Sequence, residues 1–133
     1  MDGDALIVID TAAWIWLVAD PGKLSKAARS AVDSHSTALV SAISAWEVGM
    51  LVAKSRIRLD RPVDRWVDEA LRIDGVEPAP IDHRIGALAT LLPGEAPSDL
   101  ADRLIVATAL ERGCPLVTPD RGLLAYPFCP TVW

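Results

Sequence analysis

Residues 98–122 read SDLADRLIVATALERGCPLVTPDRG, and this stretch decides the fold class. Residues 104–110 are apolar apart from one threonine, so a helix formed by them has no face suited to water and belongs inside a domain. Arg112 and Gly113 provide a helix stop, and residues 115–118 then predict a short buried strand. A buried helix followed at once by a buried strand is typical of an α/β domain.

The rest of the chain alternates between strand and helix patterns. Residues 5–9 are a continuous apolar run, which predicts a strand covered on both faces. Further strands are predicted at 39–40, 76–80 and 131–133, and helices at 14–19, 25–32, 62–71, 81–92 and from Ser41 or Ser44 to Val52. We therefore expect a three-layer α/β fold, a central and mainly parallel sheet flanked by helices, in a single domain over residues 1–133.

Composition and charge restrict the possible partners. At 133 residues and 51% apolar content the chain can bury a core. A formal charge of −5 argues against a generally basic surface for nucleic acid and against binding to an anionic membrane. A nucleic-acid partner would need a local basic strip or a bridging metal ion.

The cysteines and the first residues indicate a location inside the cell. Cys114 and Cys129 lack the spacing of a metal site and are too few for a disulfide framework, so we treat both as core residues. Asp2 and Asp4 precede the first apolar run, where a signal peptide would be positive. No stretch is long enough to span a bilayer, and we expect a cytoplasmic protein with no membrane partner.

Four or five acidic residues are predicted to meet at one edge of the sheet. Asp10 and Asp120 each follow a strand, whereas Glu47, Asp99 and Asp102 lie near helix starts. Strand ends and the helix starts that follow them share the carboxyl edge, where such sheets bind ligands. Carboxylates held close together must take up protons unless a cation is present. Oxygen ligands without histidine or thiolate favour Mg²⁺ or Mn²⁺, and one or two such ions would suit phosphodiester hydrolysis.

Each acid also has a simpler structural explanation. Asp10 and Asp99 could cap helices, and Asp120 could belong to a turn. Asp102 could complement a helix dipole, and Glu47 could complete a capping box with a serine three residues earlier. The functional interpretation therefore depends on all these acids occurring together, and not on any one of them.

Four segments together carry a resemblance to a known family: IVIDTAAW at 7–14, VSAISAWEVGM at 40–50, SDLADRLIVATAL at 98–110 and LVTPDRGLLAY at 116–126. With these segments the chain resembles the PIN-domain ribonucleases, and within them the VapC-type toxins of bacterial type II toxin–antitoxin pairs. The resemblance implies a magnesium- or manganese-dependent endoribonuclease. The sequence departs from the usual pattern at residues 95–97, where many relatives have an aromatic-histidine pair, and at Met50, where a lysine is common.

The resemblance also assigns site residues. Its catalytic and metal-binding acidic quartet corresponds to Asp10, Glu47, Asp102 and Asp120. Asp99 stands at the position of a frequent extra acid and is a further candidate metal ligand. Ser44 and Thr118 correspond to hydroxyl residues that accompany the quartet, and we expect both in supporting roles.

The resemblance further implies a homodimer and a cognate antitoxin that inserts a segment into the active-site groove. Trp14 and Trp16 are candidates for that surface, and core packing is the alternative for them. Contacts to RNA are predicted at Arg103 and Arg121, which could instead form ion pairs with the acids beside them. A strip of basic residues could also contact RNA or could simply be a solvated helix end: Lys54, Arg56 and Arg58.

Two other functions fit the sequence less well. Aspartyl-phosphate phosphatases require a second aspartate two residues after the nucleophile, where Ala12 stands, and no lysine occurs where response regulators need one. A non-catalytic PIN-like module that only binds RNA or a partner would be favoured if a quartet acid were missing. All four are present.

Overall fold

The structure is a computed structural model that describes residues 5–133. Its centre is a five-stranded sheet in the order β3-β2-β1-β4-β5, and each neighbouring pair of strands is parallel. The strands are β1 Leu6–Ile9, β2 Thr37–Ser41, β3 Val76–Ala79, β4 Leu116–Val117 and β5 Thr131–Val132. The predicted parallel sheet is confirmed.

Helices connect the strands. They are α1 Thr11–Ala19, α2 Lys26–Ser34, α3 Ala42–Ala53, α4 Val63–Ala70, α5 His83–Thr90, α6 Leu100–Arg112 and α7 Arg121–Ala125, with a 3₁₀ turn at Pro21–Lys23. None of the helices between Ala5 and Trp133 is long and apolar enough to cross a membrane.

The sheet separates two hydrophobic cores, because alternate residues of a strand face opposite sides. Val8 belongs to the core built with α5, α6 and α7. Ile7 and Ile9 belong to the core built with α1, α2, α3 and α4. This arrangement explains the unbroken apolar run of β1, and it confirms the helix-sheet-helix layers.

Helix α6 has buried residues all around its circumference, from Ala101 to Ala109. Gly113 ends it in the left-handed conformation, with φ 64°, and the Cys114 N–H donates to Ala109 O. Cys114 and Cys129 are free and buried, as predicted.

Several details differ from the sequence prediction. Helix α1 begins at Thr11 rather than Trp14, because Asp10 caps it. Ser41 caps α3 and leaves Ser44 inside the helix, so the capping box between Ser44 and Glu47 is wrong. The short helix α7 was not predicted. The prediction based on Asp2 and Asp4 lies outside the described residues.

Trp14 is a core residue rather than part of a binding surface. Its side chain is completely buried, its Nε1 donates to Ala70 O at 3.2 Å, and its ring meets Trp66 edge to face. The antitoxin-contact interpretation is therefore wrong for Trp14. Trp16 is partly exposed and stays a candidate.

Candidate active site

Two adjacent strand ends bring the first and last acidic segments together. Ile9 is paired with Val117, and the Asp10 N–H donates to Val117 O at 3.1 Å. The side chain of Asp10 therefore emerges beside Thr118 and the loop that carries Asp120. Because parallel strands share their carboxyl edge, residues 108 apart along the chain become hydrogen-bonded neighbours.

The acids supplied by helices reach the same edge. Glu47 lies in α3, which follows β2, and Asp102 lies in the first turn of α6. Together with the two strand-end acids they line a cleft of about 380 Å³. The remaining wall of the cleft includes apolar side chains: Ile15, Trp16, Leu51 and Ile57.

Asp10 is the most buried of the four carboxylates, with 6% of its surface exposed. Its Oδ1 accepts from the Ala13 N–H at 2.8 Å, and its Oδ2 accepts from the Thr118 hydroxyl at 2.5 Å. Burial raises the pKa of Asp10 to about 6, although these two hydrogen bonds oppose the rise. The nearby charges of Asp120 and Glu47 contribute to this raised pKa.

Asp102 is partly buried, and within residues 5–133 no hydrogen bond or ion pair stabilises its carboxylate. Burial raises its pKa to about 7, and the charges of the surrounding acids add to the effect. The first of those charges is that of Asp99. A site with this electrostatic profile stores repulsion that a cation would relieve.

Glu47 is held by a residue that the sequence reasoning missed. The Thr11 hydroxyl donates to Glu47 Oε1, and the same Thr11 oxygen lies 2.8 Å from Ser44 Oγ. Burial raises the pKa of Glu47, the Thr11 hydrogen bond lowers it, and the charge of Asp99 raises it. The only signal available in the sequence was the position of Thr11 directly after the strand-end acid.

Asp120 and Asp99 both cap helices. Asp120 Oδ1 accepts from the Leu123 N–H, and its own N–H donates to Thr118 Oγ1, each at 3.0 Å. Asp99 accepts from the Asp102 N–H at 2.9 Å. Asp120 also lines the cleft, whereas Asp99 lies in an adjoining depression. Asp120 can therefore cap α7 with one carboxylate oxygen and present the other oxygen to the cleft.

The donor set fits a hydrated divalent cation. The titratable side chains lining the cleft are all carboxylates. No three acidic, histidine or cysteine side chains in the described part of the chain form a ready-made ligand cage. Mg²⁺ is commonly held by only one or two carboxylates and keeps several waters, so an open acidic cleft is suitable for it.

Among residues 5–133, no basic side chain forms an ion pair with a carboxylate of the cleft. The ion pairs formed within residues 5–133 are those of Arg61 with Asp60 and Glu69. The alternative in which Arg103 and Arg121 pair with neighbouring acids is therefore wrong. Arg103 instead donates from Nε to Ala89 O at 2.8 Å and from Nη1 to Pro97 O at 2.7 Å. Arg121 is exposed at the first position of α7.

A parallel sheet whose carboxyl edge gathers four carboxylates defines an α/β domain with an acidic site suited to a metal ion. The chain belongs to the PIN domain family, whose family model matches residues 7–128. Within this family it is of the VapC type. It is 39% identical over 132 residues to Ribonuclease VapC22 of Mycobacterium tuberculosis (strain ATCC 25618 / H37Rv), covering 96% of this chain and 98% of that protein.

Solved structures agree on the fold. A toxin–antitoxin complex from Klebsiella pneumoniae contains a chain with a TM-score of 0.63 and 21% identity, covering 91% of this chain and 92% of that one. A chain in the structure of VapBC2 from Rickettsia felis, solved with a DNA fragment from the promoter, has a TM-score of 0.59 and 15% identity. The match covers 95% of this chain and 96% of that one.

Proposed function

We propose that this chain is a single-domain, divalent-metal-dependent endoribonuclease and the toxin component of a type II toxin–antitoxin pair. The observation that carries the proposal is the convergence of four carboxylates in one cleft, with no ion pair from a basic side chain of residues 5–133. The VapC22 relative is named a ribonuclease, and its similarity extends over nearly the whole chain. Hydrolysis of RNA phosphodiester bonds is the reaction that this site supports best.

Asp10, Glu47, Asp102 and Asp120 would hold Mg²⁺ or Mn²⁺. Such an ion supplies a Lewis acid for the phosphodiester and for the attacking water. The protein positions the ligands: Thr118 and the Ala13 N–H orient Asp10, and Thr11 with Ser44 orients Glu47. These contacts hold the carboxylates in place before substrate binds, which limits reorganisation during the reaction.

The two predicted arginines are assigned different roles. Arg121 is exposed next to Asp120, and we propose that it contacts RNA phosphate. The guanidinium of Arg103 is committed to two backbone carbonyls, which tie the end of α5 and the loop before α6 to the helix that carries Asp102. We therefore propose a positioning role for Arg103 in place of the predicted substrate contact.

A cognate antitoxin is proposed as the protein partner, since the fold neighbours come from toxin–antitoxin complexes. Trp16 remains the candidate contact, because it lines the cleft and is partly exposed. Its ring lies 5.8 Å from that of Trp133 and 5.8 Å from Lys23 Nζ. We also propose a cytoplasmic location, where an RNA substrate and a bacterial antitoxin would be available.

A homodimer is proposed as the oligomeric state. Leu91, directly after α5, and Leu100, at the start of α6, are 73% and 63% exposed. Contact between two copies would cover such side chains. Light scattering coupled to size-exclusion chromatography measures the mass directly, and a monomer at micromolar concentration would contradict this part of the proposal.

The test uses purified protein with labelled RNA in Mg²⁺, in Mn²⁺ and in chelator. Cleavage is expected only with a metal ion. In Asp10→Asn and Asp102→Asn it should fall at least about a hundredfold, beyond the 10- to 100-fold loss typical of residues that merely orient a ligand. Asp82→Asn is the matched control, because Asp82 also caps a helix but lies outside the cleft.

Cleavage that persists in chelator, or that is equal in Asp10→Asn and the control, would reject the proposal. The alternative function is a non-catalytic binding module. The absence of one of the four acids from the cleft would favour it. All four acids line the cleft, which supports the nuclease over the binding module.

A further inference from the structure

A second depression of about 220 Å³ adjoins the acidic cleft. Glu47 and Leu51 line both, so the two form a continuous surface. Away from the cleft the depression is lined by Trp46, Met50, Lys54, Arg56 and, on the α6 side, Asp99. We call this surface the α3 groove.

The α3 groove follows from helical spacing. Leu51 follows Glu47 by four residues, and Lys54 follows Leu51 by three. This spacing puts all three along one side of α3 and its C-terminal end. The 1.5 Å rise per residue separates Glu47 from Lys54 by roughly 10 Å along the helix axis. One side of α3 therefore leads from the acidic cleft to a pair of basic side chains.

The end of α3 fixes the backbone of that basic pair. The Lys54 N–H donates to Met50 O at 3.0 Å, and the Arg56 N–H donates to Leu51 O at 2.8 Å. Ser55, between them, adopts a left-handed conformation with φ 56°. This turn ends the helix and leaves Lys54 and Arg56 on either side of it.

The charges of the pair have no partner in the described chain. Both side chains are exposed, and neither forms an ion pair or a side-chain hydrogen bond within residues 5–133. They lie beside an acidic cleft in a chain of net charge −5. A local positive charge at this place is complementary to the phosphates that flank a phosphodiester bound in the cleft.

Trp46 adds an exposed aromatic ring to the lining of the α3 groove. It is 56% exposed and belongs to neither hydrophobic core. Indole rings stack on any nucleobase, and grooves that track single strands combine such rings with cationic side chains. An exposed tryptophan, two unpaired cations and direct continuity with a phosphodiester site favour single-stranded RNA over a protein segment.

We propose that the α3 groove binds the nucleotide adjacent to the scissile phosphate of single-stranded RNA, with its base on Trp46 and its outer phosphate on Lys54 and Arg56. The proposal rests on the proposed function and specifies where the substrate strand leaves the cleft. The carboxylate of Asp99 lies at the α6 side of the groove and repels phosphate there. The strand is thereby directed toward the C-terminal end of α3.

The binding test uses fluorescein-labelled oligouridylate and wild-type protein in chelator, so that affinity is measured without cleavage. Trp46→Leu should weaken binding about tenfold, and Trp46→Phe should retain most of it because a ring remains. Lys54→Ala/Arg56→Ala should also weaken binding. It should reduce the slope of log affinity against log salt by about 0.7 for each phosphate that the variant no longer neutralises.

Matched controls alter similar residues elsewhere. Phe128→Leu removes another exposed ring, and Lys26→Ala/Arg29→Ala removes an exposed basic pair on α2. Both controls should bind oligouridylate as wild type does. Unchanged affinity and salt slope in the groove variants, or equal losses in the controls, would overturn the proposal.

Cleavage in Mg²⁺ separates this proposal from the proposed function. The groove variants should raise KM about tenfold and change kcat less than threefold. Wild-type protein that fails to cleave, but whose RNA binding still depends on the groove, would reject the nuclease and keep the groove. Groove variants that keep their RNA affinity but change oligomeric state would assign the surface to a protein contact and overturn the proposal.

Discussion

Thr118 is the residue on which Asp10 depends most directly. Its side chain is completely buried, its hydroxyl donates to Asp10 Oδ2, and its oxygen accepts from the Asp120 N–H. A single hydroxyl thus links the carboxylate of Asp10 to the backbone of Asp120. The sequence indicated only that Thr118 lies two residues before Asp120, and gave no sign of its contact with Asp10.

Thr118→Val should destabilise the protein by about 1 to 3 kcal/mol, because a buried carboxylate loses its hydroxyl donor. The pKa of Asp10 should rise further, since the missing hydrogen bond normally lowers it. Urea denaturation in chelator measures the free energy of unfolding. Thr108→Val is the matched control, because that buried hydroxyl donates only to Leu104 O of its own helix. An equal loss in both variants would argue against a special role for Thr118.

Thr11 should matter for activity through Glu47. In Thr11→Val the Glu47 carboxylate loses its hydroxyl donor, and we expect kcat/KM for RNA cleavage to fall about tenfold. Thr11→Ser keeps the hydroxyl and should restore most of the activity. Steady-state cleavage in Mg²⁺ measures the difference. Wild-type activity in the valine variant would show that Glu47 needs no such support.

At the scale of elements, the beginning of α6 combines a structural and an electrostatic role. Asp99 caps the helix, and its charge raises the pKa of both Asp102 and Glu47. It does not line the cleft itself. Substitutions of Asp99 can therefore separate its role as a helix cap from the effect of its charge on the cleft.

Asp99→Ala should cost about 1 kcal/mol through loss of the cap, and Asp99→Ser should keep most of that stability, because serine also caps helices. Since Asp99 lies outside the cleft, both variants should lower Mn²⁺ affinity less than tenfold, whereas Asp102→Asn should lower it much more. Thermal melting in chelator and along a Mn²⁺ titration gives both quantities. Asp82→Ala controls for cap loss at α5. A loss of Mn²⁺ affinity as large as that of Asp102→Asn would instead make Asp99 a direct ligand.

At the scale of the whole molecule, stability should depend on pH and on divalent cations together. Asp10 and Asp102 have pKa values of about 6 and about 7, above those of exposed aspartates, so the folded state binds more protons than the unfolded state. The resulting stabilisation is complete below about pH 4 and is lost as the pH rises through 6 and 7. In chelator, the free energy of unfolding should fall between pH 5 and 8, by up to about 1.4 kcal/mol per unit for each extra proton held.

A divalent cation should reverse this trend, because it binds the ionised carboxylates. At a hundredfold excess over its dissociation constant it should add about 2.7 kcal/mol at pH 8. Calorimetry at several pH values, with Mg²⁺ and with chelator, measures both effects. The double variant Asp10→Asn/Asp102→Asn should flatten the pH profile. Absence of a melting shift with either ion would contradict the metal site.

Much of this protein was determined by the sequence alone, because the relevant signals are local. The unbroken apolar runs of β1 and α6 specify elements covered on all sides, and such elements require a layered α/β domain. The positions of Asp10 and Asp120 after strands, and of Glu47 and Asp102 in helices, then predict one acidic edge. The sequence predicted a mainly parallel sheet, and the structure shows that β1 and β4 are the neighbours that bring Asp10 and Asp120 together.

Other features were decided only by the tertiary structure. The contact of Thr11 with Glu47 spans 36 positions, and that of Trp14 with Ala70 spans 56. Arg103 stands beside an acid in the sequence, yet the packing of α5 against α6 directs it to backbone carbonyls instead. The partners of such side chains depend on how elements distant along the chain pack together. A local pattern therefore indicates which residues can do chemistry, whereas packing decides which neighbours orient them.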